Sequence, residues 1–307
     1  MKFFPESALV QLEYEKVKTL LALHCRTEYA KYRADNLRIH TKKEFITTEL
    51  QQTNEFRLLQ QSGQHFPNDF THTLQKELKL LGIPGAVLSG EQFLLIRRLT
   101  DNANNIFRWF DNERRIAYPA MAKVTSDAYY EKRIIEMLDE VLDETGQVKD
   151  SASEELGNIR MNLYRKRNEL RRVFDKIVGK LNKQGYLADI EESFMNGRRV
   201  LAVFAEQKRM IKGILHGESD SRRTSFIEPE ETTELNNTIF SLENDERKEV
   251  YRILRKLTQD LSVYASLLKT YHAISGEYDF IRAKARFSME YNGNFPVVLD
   301  KAHVKLI

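Results

Sequence analysis

The residues whose grouping points to chemistry are basic. Arg160, Arg165, Lys166, Arg167, Arg171, Arg172 and Lys176 form one block, and Arg198, Arg199, Lys208, Arg209, Lys212, Arg222 and Arg223 form another. Between positions 151 and 223 the chain has 16 Lys plus Arg against 10 Asp plus Glu, an excess of six hidden inside a whole-chain net charge of only +3. The ten residues Tyr186 to Met195 contain three acids and no base, so the excess lies on either side of them. Clustered cations of this kind are the electrostatic footprint of a polyanion binder. Contacts from such cations to phosphates give affinity without reading sequence, and each phosphate neutralised steepens the salt dependence.

Other groupings read as structural. Glu136, Asp139, Glu140, Asp143 and Glu144 resemble a metal-nuclease cluster only by composition, since consecutive acids on one helix face are normally solvated. His216, Glu218 and Asp220 are a poor zinc pattern without any cysteine nearby. Cys25, the single cysteine, lies beside His24 on an amphipathic stretch and reads as a buried thiol; Trp109, between Phe107 and Phe110, reads as core. No catalytic residue and no metal ligand is assigned, and the chain is expected not to be an enzyme by itself.

The elements that must carry the basic blocks are mostly helical. The 307 residues include only 13 Gly and 6 Pro, too few for the frequent tight turns of an all-β protein, and no apolar run approaches the roughly 18 residues of a membrane span. Met1 to Glu6 lack the basic and apolar character of a leader, so a soluble, cytoplasmic protein without a membrane partner is expected. The first 150 residues read as amphipathic helices, with Leu12, Val17, Leu20, Leu21 and Leu23 on one apolar face and Phe45, Leu50, Phe56, Leu58 and Leu59 on another. Ser89 with Gln92 forms a capping-box pattern for a helix over about 90–115, and a further helix is expected over about 127–143.

From Asp150 the pattern lengthens. Leu156, Ile159, Leu163, Leu170, Phe174, Ile177 and Leu181 make a near-heptad stripe opened by Ser151 or Ser153, enough for a rod of roughly 50 Å. A second stripe, from Leu235 through Ile239, Leu242, Val250, Leu254, Leu257, Leu261, Tyr264 and Leu268 to Tyr271, follows Glu228-Pro229, and the two rods should pack antiparallel. Between them the period switches to two. Asn196-Gly197 is a type I′ hairpin signal between Ile190–Met195 and Arg199–Ala205; Met210–His216 and Thr224–Ile227 supply two more strands. The second basic block therefore sits in a small β module inserted between two long helices.

An arm of two long helices tipped by a basic β module resembles the lever and clamp of MutS-family DNA repair proteins. Asp150-Ser151-Ala152-Ser153, Glu155-Leu156 and Ile159-Arg160 resemble the entry to the lever in the second bacterial branch of that family, which lacks a mismatch-recognition domain. Asn196-Gly197-Arg198, Val200-Leu201, Gly213-Ile214, His216, Thr224, Phe226-Ile227-Glu228-Pro229 and Glu234-Leu235-Asn236-Asn237 resemble its clamp and the return into the lever. Leu12 to Val17 and Asp279 to Ala285 fit the same branch, so the likeness covers nearly the whole chain. Ser221-Arg222-Arg223 departs from it, standing where the family usually has a small glycine-containing turn. Phe226-Ile227-Glu228 matches the Phe-x-Glu string that stacks on a mispaired base in the mismatch-recognising branch, but its place at the end of a β tip makes it a core Phe and a helix-start Glu.

The resemblance implies a mainly α fold: a helical core over 1–150, an outgoing lever helix over 151–184, a β clamp over 185–228, a return helix and core over 229–292, and over 293–307 the start of an ATPase domain. It implies that Arg198, Arg199, Lys208, Arg209, Lys212, Arg222 and Arg223 contact the phosphates of duplex or branched DNA, with Arg165, Arg167 and Arg171 lining the path. The implied parent is a homodimeric ATPase using ATP and Mg, with a C-terminal nuclease domain in some members. No G-x-x-x-x-G-K-[ST] phosphate loop occurs here, so the chain is expected to be a fragment with no cofactor of its own. The rival expectation is an arm that reaches the ribosome, a role the same branch suggests.

Overall fold

A computed structural model of the chain describes residues 7–37 and 39–299. Expectations that fall on Met1 to Glu6, and on 300–307 of the anticipated ATPase region, lie outside the described residues. The fold is mainly helical with one small antiparallel sheet, as expected. It divides into two compact units, residues 1–147 with 255–307, and residues 148–254. Among the described residues no helix is long and apolar enough to cross a membrane.

The first unit is organised on the helix Ala265–Glu290, which buries residues on most of its circumference. Tyr278 and Ile281 meet Phe56, Leu59, Ile106, Phe110 and Met121 on one side, and Phe280 and Ala283 meet Leu21, Cys25, Ala30 and Ala34 on another. Gly276 permits that second contact, because a Cβ there would stand 2.4 Å from the Tyr29 ring. The buried Asp279 accepts from the backbone N–H groups of Arg26 and Thr27 at 2.8 and 2.7 Å and from Arg282 Nη2 at 2.8 Å, while Arg282 also donates to the His24 carbonyl at 2.6 Å. That carboxylate satisfies donors just ahead of the helix Glu28–Asp35, which the Thr27 side chain caps. Cys25 is buried with its thiol pushed up to about 12, first by desolvation and then by Asp279, so it stays protonated at neutral pH. Trp109 packs edge-on against Phe66 and Phe110 at the margin of the core.

Several sequence expectations for this unit need correcting. Leu12 and Leu23 are 73% and 76% exposed, and of that expected face only Leu21 is buried, because steps of five, three, one and two residues do not return to one side of a helix. Phe45 and Leu58 are likewise exposed beside the buried Phe56 and Leu59. Ser89 and Gln92 form the expected capping box, but the helix ends at Trp109 rather than 115, because the Asp111 carboxylate accepts from Arg114 N–H and opens a new helix, Asn112–Ala117. The next long helix begins only at Arg133, since Tyr271 Oη bonds the backbone of Glu131 and Tyr129 and holds that stretch out of helical form.

The second unit contains the helix Glu154–Lys183, about 45 Å long at 1.5 Å per residue, and the part of the helix Glu230–Ser262 up to Leu254. Ser153 caps the outgoing helix through its hydroxyl, which accepts from Leu156 N–H. The two helices run antiparallel. Ser153 Oγ donates to Glu249 at 2.6 Å, Arg160 Nε to Glu246 at 2.7 Å and Arg167 Nη2 to Glu243 at 2.6 Å, and Leu163 and Leu170 pack with Ile239 along the apolar seam. The second stripe does not continue as one rod: the return helix ends at Ser262 and a new one starts at Ala265, with neither proline nor glycine to mark the break.

Four strands join the helices: β1 (Leu187–Met195), β2 (Arg198–Phe204), β3 (Gly213–Glu218) and β4 (Thr224–Pro229), in the order β1-β2-β4-β3. Asn196 and Gly197 have φ of 52° and 77°, the pair of positive values a type I′ turn demands. Leu187, Leu201, Val203 and Ile227 pack on Phe174 and Leu181 of the outgoing helix. Between β2 and β3 the chain runs through a 3-10 helix, Ala205–Met210.

Candidate nucleic-acid interface

The structure sorts the ten expected phosphate-contacting residues into three places. Arg198 and Arg199 begin β2 and turn inward. Glu228 is fully buried and stands at the centre of a polar cluster: its Oε1 accepts from Arg198 Nη1 and Asn236 Nδ2, both at 2.9 Å, and its Oε2 lies 2.6 Å from His216 Nε2. Arg198 Nη2 also donates to Asn237 Oδ1. A carboxylate removed from water persists only with such a complement of donors. Glu228 is therefore a strand residue gathering donors from β2, β3 and the return helix, not a helix-start acid, and His216 faces it instead of Glu218. Arg199 lies over the Phe174 ring, 4.5 Å from its centroid, and pairs with Glu192 and Asp175. Phe226, expected in the core, is half-buried.

A second place is the end of the sheet where β3 turns into β4. Arg222 N–H donates to the Ser219 carbonyl at 2.8 Å, Ser219 N–H to the Thr224 carbonyl at 2.8 Å, and Ala205 N–H to the Arg223 carbonyl at 2.9 Å, so this turn and the start of the 3-10 helix come together. Arg209, Arg222 and Arg223 are exposed there and make no ion pair among the described residues. Lys208 is offset by Glu218 at 2.8 Å, and that hydrogen bond holds the Glu218 carboxyl below its ordinary range. Glu206 and Asp220 lie in the same segments, so the free cations are interspersed with acids. Arg222 has φ of 55°, a conformation that costs a side-chain-bearing residue about 1 kcal/mol relative to glycine. A bulky cation thus occupies a glycine-like position. Lys212 is exposed at the other end of β3, where its carbonyl accepts from Glu230 N–H.

The third place is the outgoing helix, where Arg165, Arg167 and Arg171 do not share a face. Arg167 and Arg171 lie beside the return helix and the β1–β2 turn, Arg167 bound to Glu243 and Arg171 within 4.0 Å of Asp175. Arg165 falls instead on a stripe with Arg172, Lys176 and Lys183, at steps of seven, four and seven, all exposed and without ion pairs among the described residues. Lys183 was missed at the sequence level, although the spacing alone places it there. Arg160, the first member of the block, is not part of any open surface: it is shared by Asp150, Glu246 and the Val148 carbonyl.

The acidic run lies on an exposed to half-exposed surface, where Glu136 also pairs with Lys132 and Arg133, Asp139 with Arg97 and Glu140 with Arg133. Among the described residues no group of three His, Cys, Asp or Glu is placed to hold a metal ion.

No family model matches the chain. It is 30% identical over 292 residues to Endonuclease MutS2 of Aquifex aeolicus, an alignment covering 95% of the chain and 38% of that protein. It is 31% identical over 295 residues to Endonuclease MutS2 of Lactococcus lactis subsp. lactis, and 28% identical over 313 residues to that of Staphylococcus aureus, with 38% and 39% of those proteins covered. The chain spans well under half the length of these relatives. The likenesses support a MutS-family relationship.

Proposed function

We propose that residues 148–254 grip nucleic acid by its phosphates, as the lever and clamp of a MutS-like protein acting on duplex or branched DNA. One observation carries this reading: Arg209, Arg222 and Arg223 stand exposed at one end of the sheet with no ion pair among the described residues, while the Glu218 carboxylate beside them is met by Lys208 instead. A surface that keeps three guanidinium groups free, one of them in an unfavourable backbone conformation, is organised toward an external anion. Guanidinium forks match phosphate oxygens in geometry and charge. The stripe of Arg165, Arg172, Lys176 and Lys183 extends the same character along the outgoing helix.

Because these contacts address the backbone, the grip is indifferent to base sequence and weakens as salt rises. In the longer proteins, ATP and Mg would act through residues outside this chain, which has no phosphate loop, and dimerisation would bring two such grips together. The test is fluorescence anisotropy with two unrelated labelled duplexes and a branched substrate from about 50 to about 200 mM salt, where phosphate binders lose orders of magnitude in affinity. The expected result is one salt-sensitive affinity shared by both duplex sequences. Binding that ignores salt, or that separates the two sequences, contradicts the proposal, and competition by purified ribosomes stronger than by branched DNA favours the ribosome as the partner.

A further inference from the structure

The β1–β2 turn does not close onto the helices beneath it. A cleft of about 550 Å³ opens there, within the range of about 300–1,000 Å³ typical of small-molecule sites. Its floor is the apolar seam at Leu170 and Ile239. Above them stands Phe194, paired across the strands with Arg199. The two residues share a face of the sheet but not a fate: Arg199 is stacked on Phe174, whereas Phe194 is 69% exposed. Arg171 lies at the rim with its side chain 74% exposed and only a 4.0 Å approach to Asp175, and the Asn168 amide makes no hydrogen bond among the described residues.

Each part narrows the ligand. An exposed ring over an apolar floor accepts a flat, aromatic body; a largely exposed guanidinium beside it, only loosely approached by Asp175, accepts an anion; an idle carboxamide offers one donor and one acceptor to the edge of the body. An apolar peptide side chain would leave the cation and the amide unused, and an acidic peptide would leave the ring unused. A nucleotide uses all three, as stacking platforms for single-stranded nucleic acid do.

We infer that this cleft receives one unstacked nucleobase of branched or single-stranded nucleic acid, with Phe194 on its face, Arg171 on its phosphate and Asn168 at its edge. The inference rests on the phosphate-grip reading but uses different residues, at the β1–β2 turn rather than at the β3–β4 turn. A perfect duplex offers no free base, so the cleft adds affinity only where a base is already unpaired.

The experiment uses the full chain and a perfect duplex, with the same duplex carrying a single bulged 2-aminopurine, in DNA and RNA series. The expected preference for the bulged probe is about tenfold, since stacking of one base on an aromatic side chain is worth roughly 1–3 kcal/mol, and 2-aminopurine fluorescence falls on binding. Phe194→Ala removes preference and quenching while perfect-duplex affinity stays unchanged, and Phe194→Trp retains both. A preference in either series meets the proposal. Equal affinity for bulged and perfect probes, or a preference untouched by Phe194→Ala, overturns it, as does a Phe194→Ala variant that loses both probes equally. Absence of any duplex binding by the unaltered chain would instead refute the phosphate grip.

Discussion

Arginine serves opposite purposes at the two ends of the second unit. Beside the start of the outgoing helix, Arg160 is held by two carboxylates and a carbonyl and joins that helix to the return helix. At the β3–β4 turn, Arg222 and Arg223 are exposed, with no carboxylate bound among the described residues. Residue type and local charge density are similar, so a count of charges along the chain treats the two alike. What separates them is which acids the fold delivers: the antiparallel helices bring Glu246 to Arg160, whereas the hairpin brings Glu218 to Lys208 and leaves the neighbouring arginines free. The same contrast recurs in β2 and β4, where buried Glu228 captures Arg198.

The contrast can be broken most severely from the paired side. Glu228→Ala takes the shared acceptor from the buried Asn236 and the half-buried Arg198 and His216, and since loss of one partner of a fully buried pair costs about 3–5 kcal/mol, a loss of up to about that size is expected, to be read as a lower urea midpoint for the chain. The same variant should leave the salt slope of nucleic-acid binding unaltered wherever the protein remains folded. Ser153→Ala removes the cap of the outgoing helix and its bond to Glu249, lowering stability by about 1 kcal/mol in the same assay. On the unpaired side the sign reverses: Arg222→Gly relieves the positive φ and should stabilise by up to about 1 kcal/mol while weakening nucleic-acid binding, a gain of stability at the cost of function.

The smallest effect lies in the first unit. Burial holds His272 below the ordinary imidazole range, against a weaker opposing hydrogen bond that the ring donates to the His72 backbone. The folded chain thus resists a proton that the unfolded chain accepts near pH 6.5, so this contribution is present above about pH 6.5 and is lost as pH falls through the lowered value. His272→Leu should flatten the fall in Tm between about pH 7 and pH 5.

Much of this was legible beforehand where one local rule decided the outcome. The Asn196-Gly197 turn follows from two residues that tolerate positive φ, the Ser89–Gln92 box from four residues, and the outgoing helix from a stripe of apolar side chains that all turn inward. What depended on distant partners was not legible. The break between Ser262 and Ala265 has no helix breaker, and the apolar stripe runs straight through it. Glu228 becomes a hub because three elements converge on it, and Arg198 and Arg199 turn inward for the partners they meet there. The resemblance sets Arg165 beside Arg167 and Arg171 on one path, whereas helical geometry puts it with Arg172 and Lys176.

In the proposed function, unpaired cations, not total charge, make the grip. The most direct measurement is the slope of log affinity against log salt for a labelled duplex, compared between the unaltered chain and Arg209→Gln/Arg222→Gln/Arg223→Gln. With three phosphate contacts removed at about 0.9 each, the slope should shrink by about 2.7 while the urea midpoint does not fall. An unchanged slope in a variant that remains folded would contradict the account.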